Sequence, residues 1–335
     1  MSNKLTKGFD RTMLGTIFAL AWPTMLEQLM QTAVQYIDTA MVGSLGTAAT
    51  AAVGATSTVN WLIGSTVSAV GVGFLAHISQ AFGAGEDERA RRLSGQALGI
   101  TVLVGLLFTA ITLSVSRLVP VWMQVDPAIR DIAASYFFIL YTPMLFRAAS
   151  IILGTVLRAA GDTRTPMRVG ILMNIVNVIG NLLLIYPTRI VTVLGLTFTM
   201  PGAGMGVEGA AAASAVSYAI GGILITLAIW RHPTVSPKHQ TILPDRELLL
   251  PCARVALPNL LQRFGTSLGY VVFAAMINAL GETSTAAHTV ANTVESLFYI
   301  PGWGMQTAAA TLAGNAWGAR SRDRLKALGS TILPL

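Results

Sequence analysis

Ionisable side chains inside long apolar segments are the first residues in this chain to examine for chemistry. Three of the fifteen acidic residues, Glu27, Asp38 and Glu295, fall within such segments. An Asp at the centre of a membrane helix costs about 2.5–3.5 kcal/mol on insertion scales, so a carboxyl group there is expected to have a function. Glu27, Gln31 and Asp38 are spaced i, i+4, i+11, which places them on one stripe of a helix. Asp38 is therefore a candidate for binding and releasing a proton or a cation.

Three amides on a later segment are natural partners for this carboxyl group. Asn174, Asn177 and Asn181 are spaced i, i+3, i+7 and share one helical face. Amide oxygens can accept a hydrogen bond from a protonated Asp or coordinate a cation, and amide N–H groups can donate to a carboxylate. The sequence leaves open a second interpretation, in which the three amides only join neighbouring membrane helices.

The remaining polar candidates are less specific. Two interpretations stay open for Glu27 and Glu295, lining a cavity and making a structural hydrogen bond. In the internal repeat described below, Asn60 occupies the position equivalent to Glu295. The two isolated histidines in apolar segments, His77 and His288, have no partners at ligand spacing. The sequence has one cysteine and shows no catalytic or metal-binding motif. We therefore expect no enzyme, no catalytic residue, no metal site and no cofactor beyond a coupling ion, H⁺ or Na⁺.

The elements that must position these residues are membrane helices. Hydrophobic residues make up 53% of the chain and charged residues 11%, against roughly 25% charged in soluble domains. A span of ~30 Å of hydrocarbon takes about 20 helical residues. We predict an all-α polytopic membrane protein with about eight transmembrane helices, near residues 13–45, 49–80, 93–118, 131–157, 167–187, 207–230, 250–280 and 284–316.

The basic residues predict the orientation. With the N-terminus in the cytoplasm, sixteen of the 22 Lys and Arg fall in cytoplasmic segments and three in external loops. The net charge of +7 then reflects topology, and no nucleic-acid partner is expected. The expected partners are the lipid bilayer and small substrates, with no obligate protein partner.

The chain also repeats itself. A shift of 235 residues aligns Pro23–Leu93 with Pro258–Leu328 without a gap. An even number of spans separates the two copies, so they enter the membrane with the same orientation, as in parallel transporter repeats. Asp38 aligns with Phe273, and this broken symmetry favours a functional role for the acid. Pro23, which removes one helix hydrogen bond, is a candidate hinge.

The repeat predicts four regions. Residues 1–12 form a cytoplasmic tail, 13–230 a first six-helix lobe, 231–247 a cytoplasmic linker, and 248–335 an incomplete second lobe with helices 7 and 8 and the start of helix 9. By analogy with the first lobe, the second needs about 220 residues, so we expect the chain to be truncated at its C-terminus.

Several runs of residues resemble the MATE (multidrug and toxic compound extrusion) family, nearest its bacterial DinF-like branch. The runs that carry the resemblance are Leu20–Gln28, Ile37–Gly43, Gln80–Gly85, Leu157–Pro166 and Tyr299–Gly304. The resemblance implies two six-helix lobes around a central cavity, located in the bacterial inner membrane, that export cationic and amphipathic compounds in exchange for H⁺ or Na⁺. It places the coupling acid on Asp38, the polar pair on Asn177 and Asn181, and a hydroxyl group on Ser214.

Two alternatives to this antiporter remain at this stage. One is a lipid-linked oligosaccharide flippase of the same superfamily, which would need a strongly basic cavity for phosphates. Only Arg147, Arg254 and Arg263 lie in or near the apolar segments, and the sequence leaves open whether Arg147 and Arg263 extend to the membrane interface or pair with an acid. The other is a truncated remnant that inserts into the membrane without transporting.

Overall fold

The computed structural model describes residues 11–193, 196–279 and 282–332, and it is built almost entirely from long helices. The helices are α1 Arg11–Gly43, α2 Thr47–Gly83, α3 Asp87–Val115, α4 Val119–Trp122, α5 Arg130–Tyr141, α6 Met144–Ala159, α7 Arg164–Leu184, α8 Gly206–Arg231, α9 Arg246–Ala279, α10 Glu282–Gly318 and α11 Arg322–Ile332. A single 3-10 turn, Pro127–Ile129, precedes α5.

The prediction of an all-helical membrane fold is confirmed. Each of the eight predicted spans coincides with a helix or, for the fourth, with the pair α5 and α6. Within the described residues, four helices (α2, α3, α7 and α8) are long and apolar enough to cross a membrane, or five if the bent pair is one span. The bend of 51° lies at Pro143, where proline removes a helix hydrogen bond. Helices α1, α9 and α10 are long enough, at 33, 34 and 37 residues, but are outside this apolar set.

One element was not predicted. Strands β1 Pro187–Val193 and β2 Leu196–Ala203 form an antiparallel hairpin between α7 and α8, with Arg189 opposite Met200. The guanidinium of Arg189 lies over the ring of Tyr186, 3.9 Å from its centroid. The sequence analysis assigned no structure to this external connection.

The main core lies among α2, α3, α5, α6 and α8. Its fully buried large side chains include Phe74, Tyr141, Ile152, Leu157 and Ile225. The opposite face of α3 exposes Leu103, Leu106 and Leu107, each more than half accessible. An apolar helix face left uncovered by protein is what a lipid-facing span requires.

Helix α1 runs through Pro23 as one continuous helix, and Pro23 is buried. The hydroxyl of Thr24 donates to the carbonyl of Ala21 at 2.8 Å and lies 3.0 Å from the carbonyl of Gly304 on α10. The predicted hinge therefore lies at a close contact between the two sequence repeats.

Close contacts between the repeats follow the repeat symmetry. An added Cβ at Gly83 on α2 would overlap the backbone carbonyl of Asn315 on α10, and one at Gly318 would overlap the carbonyl of Gln80. The shift of 235 residues relates Gly83 to Gly318 and Gln80 to Asn315, so the two contacts are equivalent. Helices α2 and α10 therefore cross near a pseudo-two-fold axis at their predicted cytoplasmic ends.

A buried ion pair joins α1 to α6. The Nη2 atom of Arg158 lies 2.7 Å and 2.9 Å from the two carboxylate oxygens of Glu27, and the side chains are 18% and 12% exposed. The hydroxyl of Thr311 on α10 lies 3.4 Å from the carbonyl of Arg158. This pair holds the middle of α1 against the cytoplasmic end of α6.

The α2–α10 crossing predicts an asymmetric response to added methyl groups. We expect Gly83→Ala to lower the free energy of unfolding by about 1–3 kcal/mol relative to Gly54→Ala, because overpacking forces backbone shifts. Gly54 lies on the same helix with no heavy atom within 4 Å of an added Cβ. Titration with sodium dodecyl sulfate from mixed micelles measures both variants, and equal stabilities would contradict the close crossing.

The Glu27–Arg158 pair predicts a strong coupling free energy. We expect Glu27→Gln to destabilise the protein by about 3–5 kcal/mol, because it leaves a buried guanidinium without its counter-charge. The double variant with Arg158→Gln should be destabilised by less than the sum of the two single variants. Glu86→Gln, which breaks an exposed pair with Arg89, serves as control and should cost less than about 1 kcal/mol. Additive effects of Glu27→Gln and Arg158→Gln would show that the pair is not coupled.

Candidate functional site

The structure brings Asp38, Asn177, Asn181 and Ser214 together near the predicted external ends of α1, α7 and α8. The amide nitrogen of Asn181 donates to Oδ1 of Asp38 at 2.5 Å and lies 3.2 Å from the amide oxygen of Asn177. Asn177 is in turn 3.0 Å from the hydroxyl of Ser214. Asn181 is fully buried and Asn177 is 6% exposed, so the amides form an internal wall against which the carboxylate lies.

The amide of Asn177 can also reach the carboxylate directly. In the amide orientation that turns its nitrogen toward Asp38, Asn177 donates to Oδ1 at 2.8 Å and its oxygen accepts from the hydroxyl of Ser214 at 3.0 Å. A carboxylate that accepts bonds from two amides is stabilised in its charged form. The cluster can therefore hold Asp38 ionised in an apolar setting.

One acceptor in this cluster is left without a donor. The side-chain oxygen of Asn181 is buried and accepts no hydrogen bond from the described part of the chain. A buried amide oxygen without a partner costs free energy, about 1–3 kcal/mol for an unsatisfied polar group. A proton carried on a neighbouring group, or a small cation, is the kind of species that such an oxygen accepts.

The local packing explains why these residues meet. Helices α7 and α8 approach closely, since an added Cβ at Gly180 would lie 2.9 Å from the Cβ of Ala213. At the external end, Val42 of α1 packs with Ile185 and Val207 in a small apolar cluster. The hydroxyl of Tyr186 lies 2.8 Å from that of Ser44, which fixes the turn after α1.

The other predicted residues lie apart from this cluster. Glu27 forms the ion pair with Arg158, and eleven residues separate it from Asp38, about 16 Å along the helix axis. Gln31 is exposed on α1. Asn174 shares the α7 face, but its buried amide nitrogen has no partner in the described residues. Glu295 on α10 is exposed and interacts with the hydroxyl of Tyr299.

Asn60 belongs to a second polar cluster that the sequence analysis missed. The guanidinium of Arg147, 9% exposed, donates to Oδ1 of Asn60 at 2.7 Å. It also lies over the rings of Tyr141 and Tyr218, 5.6 Å and 4.9 Å from their centroids. A cation over an aromatic face is stabilised by the ring quadrupole. The sequence left Arg147 between reaching the interface and pairing with an acid, and the structure gives it an amide and two aromatic rings instead.

Tyr136 on α5 connects the two clusters. It packs against the main core, which contains Tyr141, and against the small apolar cluster of Val42 and Ile185. The signal in the sequence was a tyrosine within an apolar span. Tyrosine is also common in membrane helices as an interfacial anchor. The positions of the tyrosines in the sequence therefore did not indicate that three of them surround Arg147.

The second sequence repeat presents a different surface at the position equivalent to Asp38. Phe273, Tyr270, Thr266 and Gly269 line a shallow pocket of about 220 Å³ on α9. The ring of Phe273 contacts His288 edge-on, with centroids 5.4 Å apart. Tyr270 and Phe273 are 59% and 48% exposed, so aromatic rings are accessible on this helix.

Known proteins resemble this chain over most of its length. It is 27% identical to the probable multidrug resistance protein NorM of Thermotoga maritima over 309 residues, 92% of this chain and 64% of that protein. It is 29% identical over 314 residues to the probable multidrug resistance protein YoeA of Bacillus subtilis, 91% of this chain and 64% of that one. The chain thus spans less than two thirds of the length of these two relatives.

A solved structure shares the fold. The outward-facing conformation of a multidrug resistance MATE family transporter of the MOP superfamily superposes with a TM-score of 0.84 at 25% identity. The superposition covers 95% of this chain and 68% of that one.

The family model named MatE matches residues 23–183 and 258–334, and its two segments begin at the repeat-related Pro23 and Pro258. These segments cover more than half of the sequence and the elements that carry Asp38, Asn177 and Asn181, so this chain belongs to the MatE family, a family of membrane transporters and not of enzymes.

Proposed function

We propose that this chain acts in antiport, exporting cationic or amphipathic compounds in exchange for H⁺, with Asp38 as the coupling group. The observation that carries the proposal is the Asp38 carboxylate held by the buried amide of Asn181 near the predicted external end of α1. Burial favours the neutral form of a carboxyl group and amide donors favour the charged form. A group balanced between these two influences can change its protonation when its surroundings change.

The partnerless oxygen of Asn181 supports an exchange at this position. A proton shared between Asp38 and the amide cluster, or Na⁺ in its place, would supply the missing interaction. The second residue of the polar pair on α7 is Asn181, an amide and not an acid. Among the described residues of the first lobe, Asp38 is therefore the single carboxylate in this cluster. A single carboxylate is sufficient to exchange one proton, which is why H⁺ is proposed as the coupling ion.

The exposed rings of α9 support an amphipathic cation as cargo. Tyr270 and Phe273 present aromatic faces on the helix that corresponds, by the repeat, to the helix of Asp38. Aromatic faces attract organic cations and also bury apolar surface. The relatives' printed names as multidrug resistance proteins point the same way.

The contacts between the repeats support an assignment of the side of the membrane to which the cavity would open. The close approaches at Thr24, Gly83 and Gly318 lie at the predicted cytoplasmic half, whereas Asp38 lies toward the opposite ends of the helices. A cavity between the two repeats would then be closed toward the cytoplasm and open outward. This is the state in which Asp38 would load a proton from outside.

A flippase receives less support. Arg147 is engaged by Asn60 and two aromatic rings, and Nε of Arg263 donates to the side chain of Asn259 at 3.0 Å. Arg147 is thus held by neutral partners inside the first lobe, and only Arg254 and Arg263 of the three candidate cations are left for the strongly basic cavity that a phosphate-linked oligosaccharide requires.

The proposal predicts the effect of removing one charge. In everted membrane vesicles carrying this chain, an acidic lumen should drive uptake of a cationic dye into the vesicles, and Asp38→Asn should reduce this uptake to the level of vesicles without the protein. An amide cannot exchange a proton near neutral pH, so coupling is lost. Asp131→Asn, the same change at an exposed position on α5, should transport like the parent.

Three results would contradict the proposal. They are no dye uptake with the inserted parent chain, full uptake with Asp38→Asn, and restoration of coupling in Asp38→Asn by Phe273→Asp, which would place coupling in the second repeat. Repeating the assay with a Na⁺ gradient at constant pH distinguishes the two coupling ions.

A further inference from the structure

A basic cavity lies at the predicted cytoplasmic end of α8, far from the Asp38 cluster. It has a volume of about 280 Å³ and is formed where α3, α8 and the connection to α9 meet. Its lining residues are Arg91, Trp230, Arg231, His232, Pro233, Ser236, Lys238 and His239. This lining contains three permanent cations and no acidic side chain.

The cations around this cavity are not neutralised by ion pairs. The described part of the chain has three ion pairs, and none involves Arg91, Arg231 or Lys238. On α3, the carboxylate of Glu88 accepts from the side chain of Gln240 at 3.0 Å and lies 3.8 Å from Nε of Arg92. The positive charge of the cavity is therefore available to an anion.

His232 has a structural role in the cavity wall. Its Nδ1 atom lies 3.3 Å from the backbone N–H groups of Thr234 and Val235, both of which donate to it. Burial lowers the pKa of His232, and the nearby charge of Asp162 opposes that shift. The neutral imidazole accepts these bonds and so fixes the turn of the chain after α8. The positive charge of the cavity comes from Arg91, Arg231 and Lys238.

Hydrogen bonds hold the cavity in a defined shape. Arg91 donates through Nε and Nη2 to the carbonyls of Thr234 and Pro233, at 3.3 Å and 3.1 Å. Its Nη1 group has no hydrogen-bond partner among the described residues and can donate to a ligand. His239 has a positive φ of 63°, which a residue with a side chain adopts only when its surroundings impose it.

The connection is also anchored farther along. The amide nitrogen of Gln96 on α3 donates to the carbonyls of Thr241 and Leu243 at 3.0 Å and 2.8 Å, and its oxygen accepts from the N–H of Asp245 at 2.8 Å. The connection therefore lies along the first turns of a membrane span. The protein's own hydrogen bonds therefore hold the cavity wall, and such preorganisation lowers the cost of binding.

The neighbouring apolar residues indicate which anion the cavity takes. Trp230 is 41% exposed at the end of α8, and Ile242 and Leu243 in the connection are 48% and 75% exposed. Tryptophan is enriched at the level of the lipid headgroups, and basic pockets between membrane helices on the cytoplasmic side bind anionic headgroups. A free phosphate ion would gain nothing from these apolar side chains.

We propose that this cavity binds the phosphate group of an anionic phospholipid, with Arg91, Arg231 and Lys238 contacting the phosphate and Trp230, Ile242 and Leu243 contacting the upper acyl chains. The site goes beyond the transport function proposed above and does not depend on it. A lipid bound here would connect the end of the first six spans to the start of α9.

The test compares lipids and charge-matched variants on the full purified chain in detergent. Thermal unfolding is followed while phosphatidylglycerol, phosphatidylcholine or inorganic phosphate is added. Only phosphatidylglycerol should raise the unfolding temperature of the parent, because a ligand that binds the folded state stabilises it by mass action. The variant with Arg231→Gln and Lys238→Gln should require roughly 30-fold more phosphatidylglycerol for the same shift, about fivefold for each cation removed.

The control removes the same charge elsewhere. Arg322→Gln with Arg324→Gln alters two exposed arginines of α11 and should keep the parent response. Native mass spectrometry, which counts retained phosphatidylglycerol, gives a second readout, and Lys238→Gln alone serves if the double variant unfolds. Equal shifts with phosphatidylcholine, an equal shift with inorganic phosphate, or equal losses in the two double variants would each overturn the proposal.

Discussion

The constraint on which the rest of the structure depends is the free energy of keeping the carboxylate of Asp38, which has no ion pair among the described residues, within a long helix of a membrane fold. Asp38 can remain there because Asn181 donates to it from α7, with Asn177 and Ser214 completing the cluster. This requirement fixes how α1, α7 and α8 pack. It explains why an amide face, and not an apolar one, is directed at α1. Among the described residues the buried oxygen of Asn181 has no donor, so the cluster has room for one further interaction, as the proposed exchange requires.

The same helix links that cluster to the contact between the repeats. Along α1, Asp38 lies near the external end, Glu27 is paired with Arg158 in the middle, and Thr24 next to Pro23 approaches Gly304 of α10. A change in the tilt or bend of α1 therefore alters the surroundings of Asp38 and the closure between the repeats together. Coupling a protonation change to opening and closing of the cavity requires one element that responds at both places, at Asp38 and at the contact between the repeats.

The sequence predicted the elements and the cluster better than the individual partners. Apolar length predicted the helices, and the spacing of Asn177 and Asn181 predicted that they share one face of α7. The meeting of that face with Asp38 and Ser214 was implied by the family resemblance and not by helical geometry. The partner of Glu27 was not predictable, since Arg158 is 131 residues away and only packing brings the two together. Arg147 was left undecided for the same reason, and the hairpin after α7 lies in a connection with no apolar periodicity. The predicted boundaries of the four regions and the orientation of the N-terminus remain predictions.

The most direct measurement of the central claim is proton release on cation binding, made on the purified chain in weakly buffered detergent solution with tetraphenylphosphonium as the probe. If the cation and the proton compete through Asp38, the parent and Asp131→Asn should release about one proton for each cation bound, because a single carboxylate exchanges its proton. Asp38→Asn should release none. Equal proton release by Asp38→Asn at equal cation binding would contradict the account.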